Sequence, residues 1–233
     1  MSDKIIANAS KSIKTRYFKI GCKYFEYLPV FEAREIFGII DNLGGKLITK
    51  LPPPEFGQRI GITGHIAEKD GNLIYVDTDK QIFRVVSFDI VDISTSLDLL
   101  SSIVNAIKEF YDVTPDFYEL LWELTIDTDK NALEMFRKNS EKILFLDEIN
   151  SRLDFNLSLF GIRLCEGEPN SQDWIDVRIE PEIHRNGKNY YINIIIRRGE
   201  WNEFGEHVKN VATIISTLLR SLEWDCQNNT STL

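Results

Sequence analysis

Residues 117–128 read FYELLWELTIDT, and their apolar side chains recur at every second position. Glu119, Glu123 and Asp127 fall between them, so this period of two predicts a β-strand that is buried on one face. Residues 15–26, TRYFKIGCKYFE, alternate in the same way. We therefore predict two comparable strands, each of which begins a similar series of elements.

The series after the first strand is predicted from periodicity and from turn signals. Apolar residues at helical spacing predict a helix over 30–42, which two glycines terminate. Asp70-Gly71 is a type I′ turn signal between two of the strands that follow. Those strands are predicted at 46–50, 59–68, 73–77 and 81–90. The series ends in an amphipathic helix with its N-cap among residues 94–96.

The series after the second strand repeats this order. A helix is predicted over 129–141, and its Ala132, Glu134 and Phe136 match residues of the first helix at a constant offset of 99. Further strands are predicted at 143–146, 155–165, 174–185 and 190–198. The series again ends in an amphipathic helix, which Asn202 caps.

The repeated order predicts an α+β fold built from two duplicated β-α-β4-α units, residues 15–112 and 113–225. We expect the two units to form one curved antiparallel sheet with helices packed on one face. Residues 1–14 are predicted to be a flexible N-terminal segment, and residues 226–233 a disordered tail. A helix-grip sheet around the C-terminal helix is the alternative architecture, and it would favour an apolar ligand cavity.

In the order of its elements, the duplicated unit β-α-β-β-β-β-α resembles the TATA-binding-protein-like fold over residues 15–224. The resemblance implies that the two halves join into one saddle-shaped antiparallel sheet with helices on its convex side. It does not extend to function, because the paired Phe wedges and the basic concave face that enter a DNA minor groove are not recognisable in this sequence. The resemblance therefore supports a fold and no particular ligand.

Composition narrows the class of protein. The chain has 233 residues and a net charge of −9, of which residues 113–233 contribute −8 (13 Lys and Arg against 21 Asp and Glu). An acidic second half disfavours nonspecific binding to nucleic acids and anionic lipids. The three cysteines form neither a zinc nor a disulfide pattern, and no apolar run has the length of a membrane span. We expect a cytoplasmic protein with reduced thiols.

The polar faces of the predicted strands carry opposite charges in the two halves. The first half presents Lys19, Lys23, Arg59 and His65. The second half presents Glu119, Glu123, Glu180 and Glu182. A bipolar sheet face of this kind suits a charged peptide, a protein or a mixed-charge small molecule. We predict these residues to be the candidate binding site.

One strand carries a group that could do chemistry. In the predicted strand 174–185, a period of two puts Glu180, Glu182 and His184 on one face. Such a group could bind a divalent metal or share a proton, which makes a metal-dependent hydrolase one alternative. The other interpretation is a solvated strand face. No cofactor or metal motif is recognised, so we predict neither, and the sequence leaves enzymatic activity undecided.

The favoured hypothesis is a non-enzymatic binding or scaffolding protein that uses the open sheet face for a protein, a peptide or a small ligand. A nucleic-acid-binding module that uses Lys19, Lys23 and Arg59 is the other alternative. A homodimer through exposed strand edges is also compatible with the pattern.

Overall fold

The computed structural model describes residues 12–25, 31–51, 60–88, 92–127, 131–153 and 156–224. The predictions for the tail 226–233 and for most of the segment 1–14 lie outside these residues, as does Arg59. Within them, nine strands form one antiparallel sheet and five α-helices accompany it.

The strands are β1 (Ser12–Lys23), β2 (Lys46–Leu47), β3 (Thr63–Lys69), β4 (Asn72–Asp77), β5 (Ile82–Ser87), β6 (Phe117–Asp127), β7 (Ile162–Glu166), β8 (Trp174–Pro181) and β9 (Tyr190–Arg198). Their order across the sheet is β2-β3-β4-β5-β1-β6-β9-β8-β7. The strands that begin the two predicted series, β1 and β6, thus pair with each other in the middle. The later strands of each series extend outward on their own side.

The helices are α1 (Ala33–Asn42), α2 (Ile93–Tyr111), α3 (Ala132–Ser140), α4 (Leu144–Leu153) and α5 (Trp201–Trp224). None of the described helices is long and apolar enough to cross a membrane. The apolar stripes of α1, α2, α3 and α5 pack into a single hydrophobic core with one face of the sheet. On that face Ile20, Leu120 and Ile194 are fully buried, as the alternation in β1, β6 and β9 predicts.

One turn prediction and two capping predictions can be compared with the backbone. The prediction that Asn202 caps α5 is wrong, because α5 begins at Trp201 and Asn202 lies inside its first turn. Asp70 and Gly71 both have positive φ between β3 and β4, which the predicted type I′ turn requires. Asn186 and Gly187 also have positive φ before β9. The capping prediction for α2 is wrong: the N-cap is Asp92, whose side chain accepts a hydrogen bond from the Thr95 amide. A carboxylate satisfies that free helix-terminal N–H as well as a hydroxyl does.

Three boundaries in the second half differ from the prediction. The segment 143–146, predicted as a strand, belongs mostly to α4, because a short apolar run fits either a buried strand or a helix turn. The strand predicted at 155–165 is only Ile162–Glu166. The strand predicted at 174–185 ends at Pro181, which has no N–H to continue the ladder. The second series therefore has four strands where the prediction had five.

Candidate functional site

The sheet face opposite the core carries an ordered row of polar and aromatic side chains. Strand register places one residue from each of seven neighbouring strands opposite the next. The row runs His65, Tyr75, Arg84, Gly21, Glu119, Arg197 and Trp174. Because side chains alternate between faces, members of one such row share the open face.

A hollow of about 350 Å³ lies at the centre of this row. Its lining includes Lys19, Gly21, Lys23, Ile82, Arg84, Phe117, Glu119, Asn170 and Arg197. Gly21 forms part of its floor, where a Cβ atom would stand 2.9 Å from Cγ of Arg84. The same Cβ atom would stand closest to the backbone oxygen of Phe83, so the glycine allows the β5 backbone to approach β1 closely.

Glu119 is the acidic member of the hollow. Its Oε1 lies 3.2 Å from Nζ of Lys19, and its Oε2 accepts a 2.6 Å hydrogen bond from Nη2 of Arg197. Burial raises the pKa of Glu119, but the Arg197 hydrogen bond and the charges of Lys19 and Arg197 outweigh it and hold the pKa below its ordinary value. Glu119 is thus an ionised carboxylate shared by two cations.

Arg197 is fixed from several sides. Besides Glu119, its guanidinium donates a 2.9 Å hydrogen bond to the backbone oxygen of Asn170. It also lies 4.2 Å from the ring centre of Phe117 and 5.6 Å from that of Trp174. Such contacts hold a cation in place through both charge and ring stacking. We infer that Arg197 shapes one wall of the hollow.

Arg84 differs from Arg197 in its partners. Its guanidinium lies 5.2 Å from the ring centre of Tyr75 on β4. Among the described residues no carboxylate forms an ion pair with it. Arg84 is half-buried and reaches the hollow from the β5 side. Its five N–H donors are therefore suited to an anion from outside the chain.

Lys19 lies on the wall between the two arginines. Burial lowers its pKa, the nearby charge of Glu119 raises it, and the charge of Arg84 lowers it again, so that the pKa lies below its ordinary value. Only 13% of its side chain is exposed. Its ammonium is thus less favoured than that of a lysine in water.

The lining of the hollow is strongly cationic. Lys19, Lys23, Arg84 and Arg197 contribute four positive charges and Glu119 contributes one negative charge, which gives a net charge of +3. The whole chain carries −9. Within a Debye length of about 10 Å the local charges dominate the field that a small ligand meets. The lining of the hollow is therefore locally cationic although the whole chain is acidic.

The structure brings together three of the predicted site residues, Lys19, Lys23 and Glu119, around this hollow. Glu123 lies four residues beyond Glu119 on the same face of β6, opposite Tyr17 and Asn193. The predicted separation of basic and acidic charge is absent between Lys19 and Glu119, which pair directly. Across the wider face it stays a prediction.

The remaining predicted residues lie apart from the hollow. His65 on β3 packs against Tyr75, with ring centres 5.5 Å apart. Glu180 is on the open face of β8, opposite Tyr191. His184 is exposed in the 3-10 helix Ile183–Arg185, so it does not continue the strand that carries Glu180, contrary to the periodicity argument.

Glu182 is buried and already engaged. Its Oε1 accepts a hydrogen bond from Arg16, and its Oε2 accepts a 3.1 Å hydrogen bond from the Asn189 amide. Arg16 also lies 5.5 Å from the ring centre of Tyr191. This arrangement is typical of an ion pair that fixes two strand ends. Over the described part of the chain, no group of three or more His, Cys, Asp or Glu residues is placed to hold a metal ion.

Sequence reasoning missed Arg84, Gly21 and Arg197. No faces are predicted for these two strands, although the residues on both sides of each arginine are buried in the structure. What alternation could not supply is the order of strands, which brings β5 and β9 to either side of the β1/β6 pair.

A scan of the chain against known protein families found no family that matches, and a search of curated proteins found no matching sequence. The site is therefore interpreted from its own geometry.

Proposed function

We propose that this protein is a binding protein whose open sheet face takes a small organic anion in the central hollow. The observation that carries the proposal is that four cationic side chains and only one carboxylate line the hollow, which gives it a net charge of +3. A ligand carboxylate or phosphate would offset charges that now repel one another. Charge-assisted hydrogen bonds to such groups are among the stronger protein–ligand contacts.

The size and lining of the hollow support a small ligand. Its volume of about 350 Å³ lies at the lower end of the usual range for small-molecule sites. Ile82 and Phe117 add apolar surface beside the charges. A few charged groups on a partly apolar wall are typical of sites that orient a ligand.

Arg84 is the side chain that we expect to contact the ligand anion first. Arg197 and Lys19 already share Glu119, whereas Arg84 contacts only the ring of Tyr75 among the interactions described above. The bidentate fork of an arginine matches a carboxylate or a phosphate group. The ligand would thus bridge the β5 and β1 sides of the hollow.

The broader hypotheses remain proposals of lower rank. A protein or peptide partner could place an acidic side chain in the same hollow, and a nucleic acid could place a phosphate there. The hydrolase hypothesis rests on Glu180, Glu182 and His184, and the engagement of Glu182 by Arg16 favours a structural role for that carboxylate.

We also infer that the two series of elements descend from an internal duplication in a TATA-binding-protein-like arrangement. The support is the strand order, in which β5 and β9 flank the β1/β6 pair and the later strands follow outward in corresponding places. Replacement of one predicted strand by α4 would then be a change in the second copy.

Thermal unfolding with and without added anions tests the binding proposal. Inorganic phosphate and citrate are the probes, and a ligand at about 100 times its Kd stabilises the fold by about 2.7 kcal/mol. For a protein of this size that is a rise in Tm of roughly 5–10 °C. Arg84→Ala should weaken binding by about tenfold or more, which corresponds to about 1.4 kcal/mol.

Arg178→Ala is the matched control, because Arg178 is an exposed arginine that pairs with Asn193 across the same open face, outside the hollow. It should bind the anions like the unaltered protein. Unchanged Tm with both anions, or equal losses in the two variants, would contradict the proposal.

A further inference from the structure

Lys19 combines two features that activate an amine. Its cross-strand neighbours are Val86 on β5 and Leu121 on β6, so its stem lies between apolar side chains. Its Nζ nevertheless reaches the hollow, where Glu119 holds it at 3.2 Å. A lysine that is desolvated and close to other cations is the kind that acts as a nucleophile.

The charges around Lys19 act on its pKa in opposite directions, and burial lowers it. The guanidiniums of Arg84 and Arg197 disfavour its ammonium, and burial is the larger cause of its lowered pKa. Glu119 opposes this effect but stays ionised, because Arg197 shares its charge. The neutral amine is therefore more accessible at Lys19 than at a solvated lysine.

We propose that Lys19 forms an imine with a 2-oxo acid that is bound in the hollow. This inference rests on the proposed function, since Arg84 must first bind the carboxylate of the ligand. Register makes Lys19 and Arg84 diagonal neighbours on one face of β1 and β5. Such positions are about 7–8 Å apart, so two long side chains can reach adjacent groups of one small ligand. A carbonyl next to a carboxylate meets that geometry.

The step is balanced without a redox partner. The Lys19 ammonium releases one proton to solvent, and its lone pair forms an N–C bond to the carbonyl carbon. The resulting carbinolamine gains a proton on its hydroxyl and loses water as the C–O bond breaks. The nitrogen retains one hydrogen in the cationic imine, whose charge Glu119 can stabilise at the distance that it now holds to Nζ.

Lys23 provides a matched comparison. It lies four residues along the same strand, lines the same hollow and has Ile82 and Phe117 as its cross-strand neighbours. The ion pair with Glu119 is made by Lys19. If charge and proximity to the hollow alone decided reactivity, the two lysines would react alike.

The experiment treats the full chain with pyruvate and sodium cyanoborohydride near neutral pH, which reduces an imine to a stable secondary amine. Intact-mass spectrometry and peptide mapping locate the adduct. We expect one adduct, at Lys19, in the unaltered protein and in Lys23→Arg. We expect none in Lys19→Arg, which keeps the positive charge and removes the nucleophile.

Several outcomes would overturn the inference. Adducts spread over surface lysines, or an adduct at Lys23, would show that Lys19 has no special reactivity. Peptide mapping of the unaltered protein decides this even if a variant fails to fold. If phosphate and pyruvate raise the Tm but no adduct forms, the imine is wrong and the anion site stands. If neither anion binds, the proposed function fails as well.

Discussion

Replacing Glu119 with Gln should destabilise the protein and at the same time strengthen its binding of anions. The substitution keeps the shape of the side chain but removes the charge that Lys19 and Arg197 share. The hollow would change from a net charge of +3 to +4. The effects on stability and on affinity have opposite signs. Glu119 stabilises the fold as the anion that pairs with Lys19 and Arg197, whereas a ligand anion competes with Glu119 for these two cations.

The loss of stability follows from the two contacts. A hydrogen bond to a charged group contributes about 1.5–3 kcal/mol, and Glu119 is 20% exposed, so solvent screens part of this. A Gln amide would retain one of the two interactions. We expect a loss of about 1–3 kcal/mol in the free energy of unfolding, which is a Tm lower by roughly 2–10 °C.

The gain in affinity follows from Coulomb's law. A negative charge about 6 Å from a bound anion repels it by about 2–3 kcal/mol at an effective dielectric constant of 20. Salt screens part of that energy. The remaining gain is about 1.4 kcal/mol, which lowers the Kd about tenfold. Calorimetric titration with inorganic phosphate at low salt measures it.

Glu123→Gln is the control, because Glu123 lies on the same strand and face but outside the lining of the hollow. It should change the phosphate Kd much less. Weaker or unchanged phosphate binding in folded Glu119→Gln would refute the electrostatic reasoning, since removal of a negative charge cannot repel an anion held in that hollow.

Two further predictions concern ion pairs. Arg16→Ala should lower the free energy of unfolding by about 1–3 kcal/mol in urea denaturation, because the buried Glu182 loses its cation. Lys14→Ala, an exposed change on the same strand, should have little effect, and equal losses would contradict the role of the pair. Acidification should weaken the unaltered protein more than Glu119→Gln. The pKa of Glu119 is lowered by folding, so its contribution is present above its ordinary pKa and is lost as the pH falls through the folded value. Parallel stability curves of the two proteins between about pH 7 and pH 3 would refute this.

The strands that have one buried face could be predicted from the sequence. In β6 and β9 every second side chain enters the core. Apolar residues therefore recur at every second position of these two strands. The segment 143–146 could not be assigned, because consecutive apolar residues satisfy both periods. In the structure residues 144–146 belong to α4.

The candidate site could be predicted only in part for a related reason. Alternation places Lys19, Lys23 and Glu119 on polar faces, but it does not say which strands are neighbours. Arg84 and Arg197 join them because β5 and β9 lie on either side of the central pair. That order results from long-range pairing, which no local period in the sequence encodes.

The pairing of β1 with β6 also constrains when the fold can form. β1 is synthesised before β6, so one of its edges stays unpaired until residues 117–127 have emerged. During that interval the nascent chain presents the backbone groups of a long strand edge, which favours pairing with other chains. Pairing of β1 with β6 is a late, non-local step, and it should make folding slow relative to helical proteins of similar size. The hollow lies across the same strand pair, so the proposed anion site can form only when the two halves have met.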